Sequence, residues 1–466
     1  MHLRIYLASI LTIAPLIASL ERRSPSAIAV TDYVLPLVGV PQPHPITPSS
    51  KHLHKRRSLN GPKPNLDIPN EDEGYAPDAI ATVQQDVLTL GGRVYMTNIT
   101  LANTSYTFIV DTGSSDTWIA SSTFRCTSRL QQFPLPQRAC GFGNLFNALA
   151  SPTYGKFGGS VFGVQYTDGE YLVGEMGEDE LIVGNGGIGA KARSEGLKFR
   201  QTIGVVKRGW WMGDGRSSGL MGLAYPTLAS NVKALNYTSI VFSIFAEHSI
   251  PQIFSLALSR PTGGATNGGL LAIGGIPDIP HDLPFVSVPI HPLISDTYAF
   301  YSIAVDGFEV VPPTSYQHSI SSPFREARPY KGTTRQAAPS DFKMILDSGT
   351  TLLYLPDTTA DLIANMFVPP ARYSSASNTY ITDCDADMPR FGVVVGGTTF
   401  WVNAEDMMNP TTVTRNGTHV RRGDCTLAVQ RQEDRDAVLG DTFLKNVVVV
   451  FDIGTSEVRL AGREKY

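Results

Sequence analysis

A short apolar run that ends in an acid and turns through glycine and hydroxyls occurs twice in this chain of 466 residues, and the duplication limits the possible folds more than any other feature. The first copy is Phe108-Ile-Val-Asp111-Thr-Gly-Ser-Ser115 and the second is Met344-Ile-Leu-Asp347-Ser-Gly-Thr-Thr351. In each, an apolar strand delivers one carboxylate straight into a turn. Downstream of the first acid stands Gly219-Leu-Met-Gly-Leu-Ala224, and downstream of the second Ala437-Val-Leu-Gly-Asp441. The repeated order of strand, acid turn, apolar pair and glycine implies two related lobes. Each lobe would give one acid, and the two would face each other across a cleft.

The rest of the chain reads as all-β. With 43 Gly and 32 Pro, turns are frequent, which favours many short strands over long helices. Residues 161–166, 180–183, 254–258 and 270–273 have strand length. Helical signals are few: one covers 239–248 and another 357–367, with Asp357 or Thr358 as N-cap and Leu362, Ile363 and Met366 on one face. Residues 312–340 are polar and carry Arg325, Arg328, Lys331 and Arg335, so a long exposed loop open to clipping is expected there.

Charge separates the N-terminus from the body. The net charge of −4 gives no electrostatic reason to expect nucleic acid as a partner. Residues 1–57 hold seven Lys/Arg against two Asp/Glu, and without them the balance is 31 against 40, a net of −9. After His2 and Arg4, residues 5–20 carry no charge before Glu21-Arg22-Arg23 closes the run. That length is short for a membrane span and fits a secretory signal over residues 1–20. No later stretch is long and apolar enough to span a bilayer, and residues 459–466 show no lipid-anchor tail. Residues 21–75 are rich in Pro, Ser and Asn around the basic cluster Lys51-His-Leu-His-Lys-Arg-Arg57. The composition suits a disordered linker. A basic leader on an acidic body, however, favours a propeptide that covers an acidic cleft and is cut after Arg57 or a little later.

In a secreted chain, four cysteines are readily paired, and three pairings are open. Pairing of neighbours is expected, Cys126 with Cys140 and Cys384 with Cys425, contributing about 3 and about 4 kcal/mol through loop entropy. No Cys/His cluster has zinc spacing, and neither a metal nor a cofactor is expected. Asn98, Asn103, Asn236 and Asn416 lie in glycosylation sequons.

Further motifs, in order, make the chain resemble the pepsin-like aspartic peptidases. They are Asp111-Thr-Gly-Ser-Ser-Asp-Thr-Trp118, Tyr166-Thr-Asp-Gly169, Gly219-Leu-Met-Gly-Leu-Ala-Tyr-Pro226, Leu270-Leu-Ala-Ile-Gly-Gly275, Asp347-Ser-Gly-Thr-Thr-Leu-Leu-Tyr-Leu-Pro356, and Val438-Leu-Gly-Asp-Thr-Phe443 followed by Val450-Phe-Asp452. The match runs from about Tyr95 to Ala461. The resemblance implies a bilobal β fold with an N-terminal catalytic lobe over 76–280, a C-terminal lobe over 281–466 and a central substrate cleft. It also implies endopeptidase activity. Independently of the family, two close carboxylates cannot both ionise cheaply, so they share a proton. One acid can then act as general base on a water while the other donates to the peptide carbonyl. The dyad of pepsin is itself the standard example of this pattern.

By resemblance, Thr112 and Ser348 would cross-link the two turns, and Ser114 and Thr350 would bond the outer carboxylate oxygens. Gly113 and Gly349 let backbone pass close to the acids. Tyr166, Thr167, Asp168 and Gly169 resemble a flap that closes on substrate, Trp118 the ring that backs its tyrosine, and Leu220 a subsite wall. Plain turn chemistry would also place hydroxyls there, but the duplicated setting favours support roles. Several positions depart from the family. Leu101-Ala-Asn-Thr-Ser-Tyr106 replaces a glycine-proline turn and a glutamine, Thr167 a flap glycine, Ser217-Ser218 a Phe-Asp pair, and a long loop the short cysteine loop before the second acid. These departures bear on subsite preference more than on the acids.

The expected protein is therefore a monomeric acid endopeptidase made as a zymogen, secreted or sent to a vacuole, with extended polypeptides and its own propeptide as partners. The alternative is a catalytically silent binding or inhibitor protein on the same fold. Retention of both acids with their hydroxyl neighbours discriminates against it.

Overall fold

The stretches that lead into the acids carry no polar alternation because each is buried on both faces. In Thr104–Asp111, Phe108 and Val110 enter the main hydrophobic core while Ile109 packs on the opposite side, among Trp118, Tyr166 and Leu220. In Lys343–Leu346, Met344 and Leu346 enter the same main core and Ile345 faces Leu352, Tyr354 and Val438. The computed structural model describes residues 28–41, 93–129, 133–166, 169–184, 196–230, 235–260, 267–292, 296–316, 333–339, 341–375, 378–410, 414–415, 418–419 and 423–463.

The fold is all-β and bilobal, with few helices. A sheet of 13 strands runs through it, and three sheets of 5, 4 and 4 strands build most of the C-terminal part. The internal repeat extends to strand pairing. Thr104–Asp111 pairs in parallel with Gly219–Gly222, which pairs antiparallel with Thr117–Cys126, itself parallel to Leu197–Trp210. In the second lobe Lys343–Leu346 pairs in parallel with Val438–Leu439, which pairs antiparallel with Leu353–Leu355, itself parallel to Val429–Arg431. The downstream glycine motifs are thus the parallel neighbours of the acid strands. Glycine is required there by close approach: a Cβ on Gly219 would stand 2.0 Å from the Trp118 carbonyl oxygen, and one on Gly440 2.3 Å from those of Leu352 and Thr350.

Three of the four sequence-expected strands lie within Tyr171–Val183, Ile253–Leu258 and Asn267–Ile273, and the fourth, 161–166, falls in Gly155–Gln165 except for Tyr166, which stands just past its end. Both helices form, with adjusted ends. Ser239 precedes Ile240–Glu247, but its hydroxyl donates to the Ala224 carbonyl at 2.6 Å instead of capping. The second helix is Asp357–Asn365 with Pro356 at the N-cap position, so neither Asp357 nor Thr358 caps it. A proline with extended ψ can end the preceding strand and launch a helix without a side-chain cap. The 312–340 loop is shorter than expected, because Thr334–Ala337 pairs antiparallel with Gly307–Val311; residues 317–332 lie outside the described residues.

A strand also forms where none was anticipated. Val34–Pro41 sits inside the large sheet between Asn267–Ile273 and Arg93–Leu101. Leu35 and Leu37 point into the main core while Pro36 is exposed between them. This period of two was legible in Leu35-Pro-Leu37, but the polar, proline-rich surroundings masked it. The expected signal at 1–20 and the basic cluster at 51–57 lie outside the described residues. Among the described residues no helix is long and apolar enough to cross a membrane.

Candidate active site

The turns after the two acid strands meet at the centre of the molecule. A Cβ on Gly113 would stand 2.5–2.7 Å from the carboxyl atoms of Asp347, so only glycine lets the first turn approach the second acid. Each acid is held in the same way from its own turn. Gly113 N–H donates to Asp111 Oδ1 at 2.7 Å and Ser114 Oγ to Asp111 Oδ2. Gly349 N–H donates to Asp347 Oδ1 at 2.8 Å and Thr350 Oγ1 to Asp347 Oδ2 at 2.6 Å.

Four bonds lock one turn to the other. Thr112 Oγ1 donates to the Leu346 carbonyl at 2.9 Å and accepts from Ser348 N–H at 2.9 Å. Ser348 Oγ donates to the Val110 carbonyl at 2.9 Å and accepts from Thr112 N–H at 3.2 Å. All partners are buried, so the lattice fixes the acids relative to each other and not merely within their own lobes.

Burial raises both carboxyls above the usual carboxylate range. The turn hydrogen bonds from Ser114 and Gly113 oppose this at Asp111. At Asp347 the charge of Asp111 adds to burial and pushes it well up. Two carboxyls buried this close together titrate as a pair.

Tyr166 lies at the end of Gly155–Gln165, which pairs antiparallel with Tyr171–Val183 in a hairpin. Its hydroxyl accepts from Trp118 Nε1 at 2.8 Å. Trp118 and Leu220 are buried in the same aromatic cluster. Gly169 takes a positive φ of 92°, as the hairpin turn requires; Thr167 and Asp168 lie outside the described residues. The disulfides join Cys126 to Cys140 and Cys384 to Cys425. Asn98, Asn103 and Asn236 are exposed, Asn103 at a two-residue hairpin turn, whereas Asn416 lies outside the described residues.

Three groups near the site escaped sequence reasoning. Trp211 meets Trp118 edge-on at 5.0 Å and Tyr166 at 5.6 Å between ring centroids; a Trp just past the end of a strand carries no positional signal of its own. Glu170 is buried and accepts from Met212 N–H at 2.5 Å. Asp441 is buried behind the second acid, its N–H donating to the Thr350 carbonyl at 2.7 Å, and burial pushes its carboxyl well above the usual range. Its place in a repeated motif marked it as part of the lobe without revealing the missing partners of its carboxylate. Among the described residues no group of His, Cys, Asp and Glu is arranged to hold a metal.

Comparison with known proteins agrees with this geometry. The family model of the eukaryotic aspartyl protease matches residues 94–463. A probable aspartic-type endopeptidase of Aspergillus fumigatus is 32% identical, the match covering 79% of each chain. Rhizopuspepsin-2 of Rhizopus niveus is 28% identical over 75% of this chain and 73% of its own, and syncephapepsin of Syncephalastrum racemosum 27% identical over 75% and 72%. With two facing acids on duplicated turns and a family match over most of its length, the chain belongs to the eukaryotic aspartyl protease family.

Proposed function

We propose that the protein is an acid endopeptidase in which Asp111 and Asp347 hydrolyse peptide bonds without a covalent intermediate. The observation that carries this reading is the interlocked pair of turns, which holds two buried carboxyls against each other. One acid of the pair holds the proton and donates it to the scissile carbonyl oxygen. The other takes a proton from a water as that water attacks the carbonyl carbon. As the C–N bond breaks, return of protons to the leaving amine and to the first acid closes the cycle. Ser114 and Thr350 steady the outer oxygens of the acids, and Thr112, Ser348, Gly113 and Gly349 hold their spacing. The hairpin at Tyr166 covers an extended substrate, with Trp118 and Leu220 as apolar walls.

We read residues 1–20 as a secretory signal and 21–75 as a propeptide, with N-glycans at the exposed sequons and delivery outside the cell or to a vacuole. The strand Val34–Pro41, whose Leu35 and Leu37 enter the main core, supports a structural role for the pro-segment. The enzyme, expressed from Met1 and acidified, should cleave a quenched peptide with apolar residues flanking the cut, and a transition-state-mimicking inhibitor of aspartic peptidases should block it. No cleavage between about pH 3 and 6 after propeptide removal would sink this reading and favour a silent binding protein.

A further inference from the structure

The disulfide Cys126–Cys140 closes a loop whose first residues lie against the hairpin carrying Tyr166. The loop is anchored to the body of its lobe: Thr127 N–H donates to the Gly209 carbonyl at 2.9 Å and Leu135 N–H to that of Cys126 at 2.8 Å. From this base it reaches the hairpin at two points. Thr127 Oγ1 and the Tyr171 hydroxyl share a hydrogen bond of 2.6 Å, on the residue that pairs with Gln165 across the hairpin. Arg129 lays its guanidinium over the ring of Trp210, 5.1 Å from the centroid. The same guanidinium abuts Gly169: a Cβ there would stand 2.6 Å from Nη2 and 2.7 Å from Nε. The planar group therefore fills the space between the Trp210 ring and the bare backbone of the hairpin turn. Three residues earlier stands Tyr166, whose carbonyl accepts from Gly169 N–H at 3.0 Å, so the position of Gly169 sets that of Tyr166.

We propose that the disulfide loop is a clasp on this hairpin and that Arg129 is a positioning residue, which sets where Tyr166 sits by pressing on Gly169. The inference rests on the peptidase reading above. Arg129 touches no reacting atom and acts through the hairpin. A planar, delocalised cation stacked on an aromatic ring is a role that lysine cannot fill. A peptide long enough to lie under the hairpin should depend on the clasp through KM, because hairpin closure is part of binding.

The test uses the processed full enzyme carrying Arg129→Ala, Arg129→Lys, Gly169→Ala and the double change Arg129→Ala/Gly169→Ala. Steady-state kinetics on a long peptide are compared with thermal midpoints. We expect Arg129→Ala to lower kcat/KM about tenfold, mostly through KM, with an unchanged thermal midpoint and pH profile. Arg129→Lys should fail to restore it. Gly169→Ala should also lower kcat/KM, and its effect should be smaller in the Arg129→Ala background, because the added methyl meets the guanidinium only when it is present. Additive effects, restoration by lysine, or an Arg129→Ala enzyme with wild-type KM would overturn the proposal. An inactive wild type would instead sink the peptidase reading.

Discussion

Replacing Thr112 with Val tests whether the lattice between the turns holds the two halves together. Valine keeps the volume and branching of threonine and removes only the hydroxyl, which donates to the Leu346 carbonyl and accepts from Ser348 N–H, both at 2.9 Å. Thr112 has 0% exposure and Ser348 2%, so water cannot take over either bond. A buried polar group that loses its partner costs about 1–3 kcal/mol, which gives about 2–6 kcal/mol for the two. That is a large share of the roughly 5–15 kcal/mol that stabilises a typical fold. Urea unfolding followed by tryptophan fluorescence should show a lower midpoint with an unchanged slope, and peptide cleavage should slow as Asp111 drifts from Asp347. Ser348→Ala withdraws the mirror pair of bonds, so the two changes together should be less than additive. A Thr112→Val enzyme within about 0.5 kcal/mol of wild type and with full kcat would refute the reasoning.

The raised carboxyls of Asp111, Asp347 and Asp441 predict a protein most stable in acid. The folded state keeps a proton on the dyad and one on Asp441 at pH values where the unfolded chain has lost them, so this stability is complete below the usual carboxylate range and lost as pH rises through the folded values. Glu175 and Asp361 act in the opposite sense. Burial pushes each up, but Lys156 and Lys207 in one case, and Arg431 and Tyr380 in the other, outweigh it, so their stabilisation fades only as pH falls. Asp441→Asn, which mimics the neutral acid, should keep activity at acid pH and flatten the loss of urea stability towards neutral pH; an unchanged slope would contradict a protonated Asp441. Tyr166→Phe leaves Trp118 Nε1 without its 2.8 Å acceptor and should lower kcat/KM of a long peptide about tenfold, with a smaller effect on the thermal midpoint; unchanged kinetics would remove the hairpin from the site.

Much of the fold was legible because the acid strands must be apolar on both faces and the turns beyond them must be small. Those requirements leave a signal in consecutive residues, and the duplication doubles it. The acids, their hydroxyl partners and the glycines at 113 and 349 followed from it. What stayed hidden depends on residues far apart in the chain. Val34–Pro41 becomes a strand only because Arg93–Leu101 and Asn267–Ile273 leave a place for it, and its own surroundings read as linker. Arg129 was invisible as a hairpin contact, because nothing in its neighbours announces Trp210 or Gly169. The helix start at Pro356 differed for a local reason: the strand Leu353–Leu355 runs straight into it, and no cap residue intervenes.

The central claim is that Asp111 and Asp347 act as one proton-sharing unit. It is tested most directly by measuring peptide cleavage between pH 3 and 6 with the processed wild type, Asp111→Asn and Asp347→Asn, each confirmed as folded by its thermal midpoint. The account predicts that either single change lowers kcat by at least about a hundredfold across the range. Substantial activity in either variant would contradict it.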